Sequence, residues 1–212
     1  MKKISCLALV VVFGVSMALA QTQLGFKVIP SISSNRPHTN ADTLEISQHN
    51  TAFRVGMGLV VDIPLSEFYF LHTGINFMPK YLSLTTTDLE SQQSSTETFK
   101  ANYLQIPFGL KLYTNEISEG FQMHFKVGTS LDIKISEIKE KKGQGWIKDM
   151  NDLDMTMHLG LGGKKKLGEN TAVFGSFVYY YGLFNAINST IPVQSKIVSK
   201  LDMMAFEIGI MF

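Results

Sequence analysis

Three histidines, a serine and a glutamate are the residues of this chain whose types could do chemistry together. His72, His124 and His158 each sit in an alternating apolar–polar stretch, Ser130 lies in the same stretch as His124, and Glu207 lies in the last one. A neutral imidazole can ligate a metal or accept a proton from a serine hydroxyl, and a carboxylate can orient that imidazole. Period-two counting puts all three imidazoles on one face of their strands, with His124 and His158 on neighbouring strands. Some small membrane barrels process lipid A or phospholipid, but such a site must open to lipid. Histidines on an enclosed polar face serve more often as members of a hydrogen-bonded network. No catalytic residue, metal or cofactor is therefore assigned.

Four other features carry weaker signals. Lys164, Lys165 and Lys166 form a basic run before a short turn and read first as an interfacial cluster facing lipid headgroups. Docking of a periplasmic partner is the other reading of that run. Trp146 stands in a charged loop and serves either as a contact anchor or as a cover for a barrel mouth. Asp42-Thr43-Leu44 and Asn188-Ser189-Thr190 have the form of glycosylation signals, though three-residue matches arise readily by chance. There is no glycine-rich phosphate loop.

The elements that position these residues are strands. Apolar residues alternate with small or polar ones over residues 24–32, 53–62, 69–80, 103–112, 121–132, 155–162, 173–184 and 199–212. Pro107 lies inside the fourth stretch, where a proline usually marks an edge or bulge. Residues 33–50, 83–98, 135–152 and 185–196 read as long connections, the third of them with scope for local helix. Residues 62–67, 115–120 and 168–170 read as short turns. The connections thus alternate long and short. Transmembrane barrels have this rhythm, with short turns on the periplasmic side and longer loops outside.

The two faces differ in chemistry. One is Phe, Leu, Ile, Val and Met with almost no charge. The other carries Lys27, Arg54, Asp62, His72, Asn76, Gln105, Lys111, His124, Lys126, Asp132, His158 and Glu207, with glycines between. A membrane barrel turns the apolar face outward, whereas a soluble barrel would turn it inward. An eight-stranded barrel is just wide enough inside for side chains to fill it, so the interior charges should pair into a plug. Phe68, Tyr69, Tyr81, Phe99, Tyr113, Phe121, Phe184 and Phe212 fall near strand ends, where interfacial aromatic girdles form. In the seventh stretch Phe177, Tyr179 and Tyr181 share a side, but Phe174 and Val178 blur the register.

The two ends support export to a membrane. Residues 1–20 have a basic start, an apolar core and Ala18-Leu19-Ala20 before Gln21, the pattern of a cleaved secretory leader, leaving 21–212 as one domain. The only cysteine, Cys6, leaves with the leader, which removes disulfides and thiolate metal sites. Of the 212 residues, 19 are basic and 18 acidic, so no electrostatic case for nucleic acid arises. Beyond the leader no apolar run is long enough for a membrane helix, and a spanning chain must then be a closed barrel. The last strand places Phe206, Ile208, Ile210 and Phe212 on one face and stops on the aromatic residue, as an insertion signal read by barrel-assembly machinery would.

Short segments along the chain resemble a known family. Val61-Asp62-Ile63-Pro64-Leu65, Tyr103-Leu104-Gln105-Ile106-Pro107, Lys126-Val127-Gly128-Thr129-Ser130-Leu131, Tyr180-Tyr181-Gly182-Leu183 and the ending at 206–212 together resemble the PorT-type "porin family" barrels of Bacteroidota. The resemblance implies an all-β fold, an eight-stranded antiparallel up-and-down transmembrane β-barrel of the outer membrane without a cofactor. It also implies contact with outer-membrane lipid and with other envelope or secretion proteins, since some members act in protein export. The family brings no catalytic residues. The expected role is structural or interactive, an accessory to secretion or adhesion through the external loops. A narrow small-solute channel, a lipid-modifying enzyme and a soluble ligand-binding barrel are the alternatives.

Overall fold

The computed structural model describes residues 22–41, 43–142, 146–190 and 197–212. Residues 1–20, expected to be a leader, and Asp42 of the Asp42-Thr43-Leu44 match lie outside these. Eleven strands are present: β1 (Gln23–Thr39), β2 (Leu44–Gln48), β3 (Ala52–Pro64), β4 (Tyr69–Asp88), β5 (Ser94–Tyr113), β6 (Phe121–Lys142), β7 (Ile147–Met150), β8 (Leu153–Lys166), β9 (Ala172–Gly182), β10 (Ile187–Thr190) and β11 (Ile197–Met211). Eight of them form an antiparallel ring in the order β1-β3-β4-β5-β6-β8-β9-β11, closed where β11 pairs with β1 from Gly25↔Met211 to Thr39↔Ile197. Closure leaves no unpaired edge around the ring.

Side chains alternate with the pleat, and the pattern is inside out. In β11, Met204, Phe206, Ile208 and Ile210 are exposed, while Ala205, Glu207, Gly209 and Met211 are buried. Phe26, Met57, Ile75, Phe108, Leu159 and Phe177 continue the exposed apolar belt around the ring. Lysines, histidines and carboxylates lie within. A soluble barrel is excluded by this distribution, because so large an exposed apolar surface needs lipid.

The wall has one irregular step. Gly74, at φ +155°, sits where β4 skips its pairing with Ile106 and Pro107, although β5 continues to pair with β6 through Pro107↔Ser130. Proline offers no N–H to the β4 ladder, and a Cβ on Gly74 would lie 2.1 Å from the Leu59 carbonyl oxygen. Pro107 thus sits inside a closed wall rather than at an edge, its missing donor matched by the skipped step.

Several expected loops are strand. β4 and β5 have 20 residues each and β6 has 22, about twice the ~9–11 needed to cross a hydrocarbon core. They project past the ring as a sheet, with β2 added along β4 from Leu44↔Asp88 to Gln48↔Leu84. The polar stretch 83–98 is therefore mostly a hairpin, because strands continue to pair outside lipid without an apolar face. Much of 33–50 is likewise strand, in β1 and β2. Residues 135–152 hold the end of β6 and all of β7, with no helix among the described residues. The short turns fall at 65–68, 114–120 and 167–171. Phe99 and Tyr113, expected in a girdle, are instead buried inside, because their register parity is that of Lys111. In β9 the alternation is regular. Phe174, Val178 and Tyr180 point inward, and Phe177 and Tyr181 outward.

Candidate functional site

The lumen is filled by ion-paired layers. Near the middle, Glu207 of β11 accepts from Lys27 of β1 at 3.2 Å, from Lys126 of β6 at 2.6 Å and from the Tyr180 hydroxyl of β9 at 2.8 Å. Towards the short turns, Asp62 of β3 lies 2.6 Å from His72 Nδ1 and accepts from Lys111 at 2.8 Å and from the Tyr113 hydroxyl at 3.3 Å. Towards the long connections, Lys80 of β4 donates to Asp132 of β6 and Asp154 of β8, each at 2.8 Å. Asn76 donates to Gln105 at 2.9 Å between the charged layers. Each carboxylate is met by at least one ammonium, which is the condition for burying charge without an overwhelming desolvation cost.

The five candidates for chemistry do not assemble. His124 Nε2 lies 2.7 Å from Ser176 Oγ, and a Cβ on Gly162 would crowd both groups at 2.7 Å. Ser130 Oγ lies 2.7 Å from Thr156 Oγ1 rather than beside a histidine. His158 stacks obliquely between His72 and Tyr180, at ring distances of 6.5 and 5.9 Å. Glu207 is occupied by its lysines. No group of three metal-ligating side chains occurs among the described residues. Arg54 stands apart from the lumen layers, its guanidinium 5.5 Å from the Tyr81 ring, where β3 and β4 part company.

The mouth at the long-connection end is capped. β7 and β10 pair with each other and carry Ile147, Met150 and Ile187 onto Leu82, Leu84, Phe99, Ala101 and Tyr103 of the projecting strands. Trp146 packs partly buried against this cluster, so it covers the mouth. Its backbone N–H and that of Ile147 donate to Glu97 Oε2 at 2.8 and 2.9 Å. Asp149 ties the two cap strands by accepting from Ser189 Oγ at 2.6 Å and from Asn188 Nδ2 at 3.0 Å. The lysine run at the opposite end divides between lumen and surface. Lys164 turns inward, Lys165 reaches the Glu119 carbonyl and Lys166 pairs with Glu116 at 2.9 Å.

Sequence reasoning missed Lys80, Asp154 and Tyr180 as network members. Lys80 shares the parity of His72 and Asn76, which was the available signal. Asp154 precedes the apolar start of its strand, and Tyr180 sits among aromatics that read as wall. The cap left no period-two signature, because its strands have only four residues each.

A closed eight-stranded ring with an apolar outer belt and a charged, packed lumen defines an outer-membrane β-barrel. The chain belongs to the outer membrane protein beta-barrel domain family, whose model matches residues 11–188. Among solved structures it is similar to Neisserial surface protein A, with a TM-score of 0.51 at 7% identity, covering 90% of this chain and 95% of that one. The N-terminal β-barrel domain of Pseudomonas aeruginosa OprF matches with a TM-score of 0.44 at 11% identity, over 90% and 97% of the two chains. Ail, the attachment invasion locus protein of Yersinia pestis, matches at 0.38 and 9% identity, over 90% and 97%. No curated protein matches the chain in sequence.

Proposed function

We propose that this barrel is a non-enzymatic structural and interaction protein of the outer membrane, an accessory to secretion or adhesion that works through its projecting sheet. The observation that carries this reading is the doubly closed lumen. Lys27, Lys126 and Glu207 bridge the middle, and the β7–β10 cap covers the external mouth. A wall that only anchors leaves the surface of β2, β4, β5 and β6 beyond the membrane as the part free to meet partners. The short segments quoted above support a PorT-type relative from Bacteroidota, exported by a cleaved leader. The outward face of β11, with Phe206, Ile208, Ile210 and Phe212, is the strand surface we assign to the barrel-insertion machinery, and envelope or secretion proteins are the expected partners of the sheet.

Planar-bilayer recording of the purified barrel tests this against a small-solute channel. A plugged anchor gives no steady single-channel steps. Regular steps that vary with the Lys126–Glu207 pair would establish a conducting route and overturn the reading.

A further inference from the structure

Among the described residues five lysines are buried in the lumen, and four of them have carboxylates. Lys27 and Lys126 share Glu207, Lys111 meets Asp62, and Lys80 meets Asp132 and Asp154. The fifth, Lys164, is only 5% exposed and has no carboxylate within ion-pair distance among the described residues. Its neighbours are Gln23 Oε1 at 3.3 Å and the ring faces of Tyr113 at 4.1 Å and Phe70 at 6.0 Å. Ring faces and an amide oxygen hold an ammonium but do not neutralise it. Asp62 is already taken by Lys111, His72 and Tyr113. The sole acidic residue outside the described ones is Asp42.

Lys164 also lines a vestibule of about 550 Å³ at the periplasmic end, together with Gln23, Asn170, Thr171 and Phe212. That space is larger than a bare ion needs, and its walls offer neutral hydrogen-bonding groups. Lys166, paired with Glu116, and Glu169 stand on the same lining, and Glu169 disfavours a ligand with several negative charges. We propose that this vestibule binds a single oxyanion group, phosphate or carboxylate, with Lys164 as its counter-charge. The group is carried by a small polar molecule of the periplasm or by a phospholipid headgroup at the inner rim.

The test uses the mature chain folded in maltoside micelles, which bring no phosphate or carboxylate. Sodium phosphate and sodium acetate are titrated in at constant ionic strength while NMR follows the Gln23 side-chain amide and the Tyr113 ring. Saturable shifts at both groups are expected, with affinity weakened about tenfold or more in Lys164→Met and unchanged in the outward-facing Lys165→Met. If Lys164→Met does not fold, Lys164→Gln keeps a hydrogen-bonding side chain without the charge and is expected to weaken binding in the same direction at both reporters. A second arm compares phospholipid nanodiscs with micelles in the absence of free anion. Shifts there, with no response to free anion, assign the group to the headgroup. Silence in every arm, or shifts undiminished in the folded Lys164 variant, would overturn the proposal.

Discussion

Lys126 Nζ donates to Glu207 Oε2 at 2.6 Å, joining β6 to β11 across the lumen. The two strands are separated in the ring by β8 and β9, so this contact crosses the interior rather than running along the wall. Lys27 and Tyr180 converge on the same carboxylate, and the whole group is buried. The layer therefore acts as a cross-brace as well as a plug.

Removing the carboxylate should show the brace. Glu207→Ala leaves Lys27 and Lys126 buried without their partner, a change that costs about 3–5 kcal/mol. Urea titration of the barrel in lipid vesicles, read by heat-modifiable gel mobility, checks this. Lys126→Met paired with Glu207→Leu leaves a smaller unpaired charge and should cost less than the single change.

The alternation and the turn rhythm made the ring legible in sequence, because a wall with lipid outside and paired charge inside needs opposite chemistry at successive residues. Outside lipid that requirement lapses. In residues 83–98 the buried face under the cap is itself largely polar, with Ser83, Thr86, Ser95 and Glu97, and so carried no strand signal although β4 and β5 run through them. The lumen is not uniformly polar either. Phe99, Tyr113, Phe174 and Tyr180 fill it with aromatic rings that, read singly, resemble wall or girdle. Parity was the better guide than residue type for these rings.

The cap should open when its latch is removed. Glu97 accepts the backbone N–H groups of Trp146 and Ile147, and Glu97→Ala leaves both unpaired, at about 1–3 kcal/mol for each. Trp146 is the single tryptophan of the chain, so its emission reports the cap directly. A red shift and faster iodide quenching are expected in Glu97→Ala, with the barrel itself still heat-modifiable.

The cap should also withstand mild acid. Asp149 lies in the external cap, and the Ser189 hydroxyl, followed by the Asn188 amide, holds its carboxyl below the ordinary value of 3.8. A depressed carboxyl contributes stability that is full above its unfolded value and is lost as pH falls through the folded one. Amide protection factors across β7 and β10 are expected to be level from about pH 8 to pH 5 and to fall only below about pH 4. In Asp149→Asn that acid-dependent step should shrink, the carboxylates of Glu97 and Glu137 still holding the cap.

The central claim is that β11 turns its large apolar residues to lipid and its alternate residues into a filled lumen. Single cysteines introduced at Met203, Met204, Ala205, Phe206, Ile208 and Ile210, in a chain whose only native cysteine, Cys6, is replaced by Ser, can carry spin labels in lipid vesicles. Collision with oxygen dissolved in lipid should be high at 204, 206, 208 and 210, and low at 203 and 205, with little access for an aqueous nickel complex at any of the six. Aqueous access at the even positions, or oxygen access without alternation, would contradict an inside-out barrel with a plugged interior.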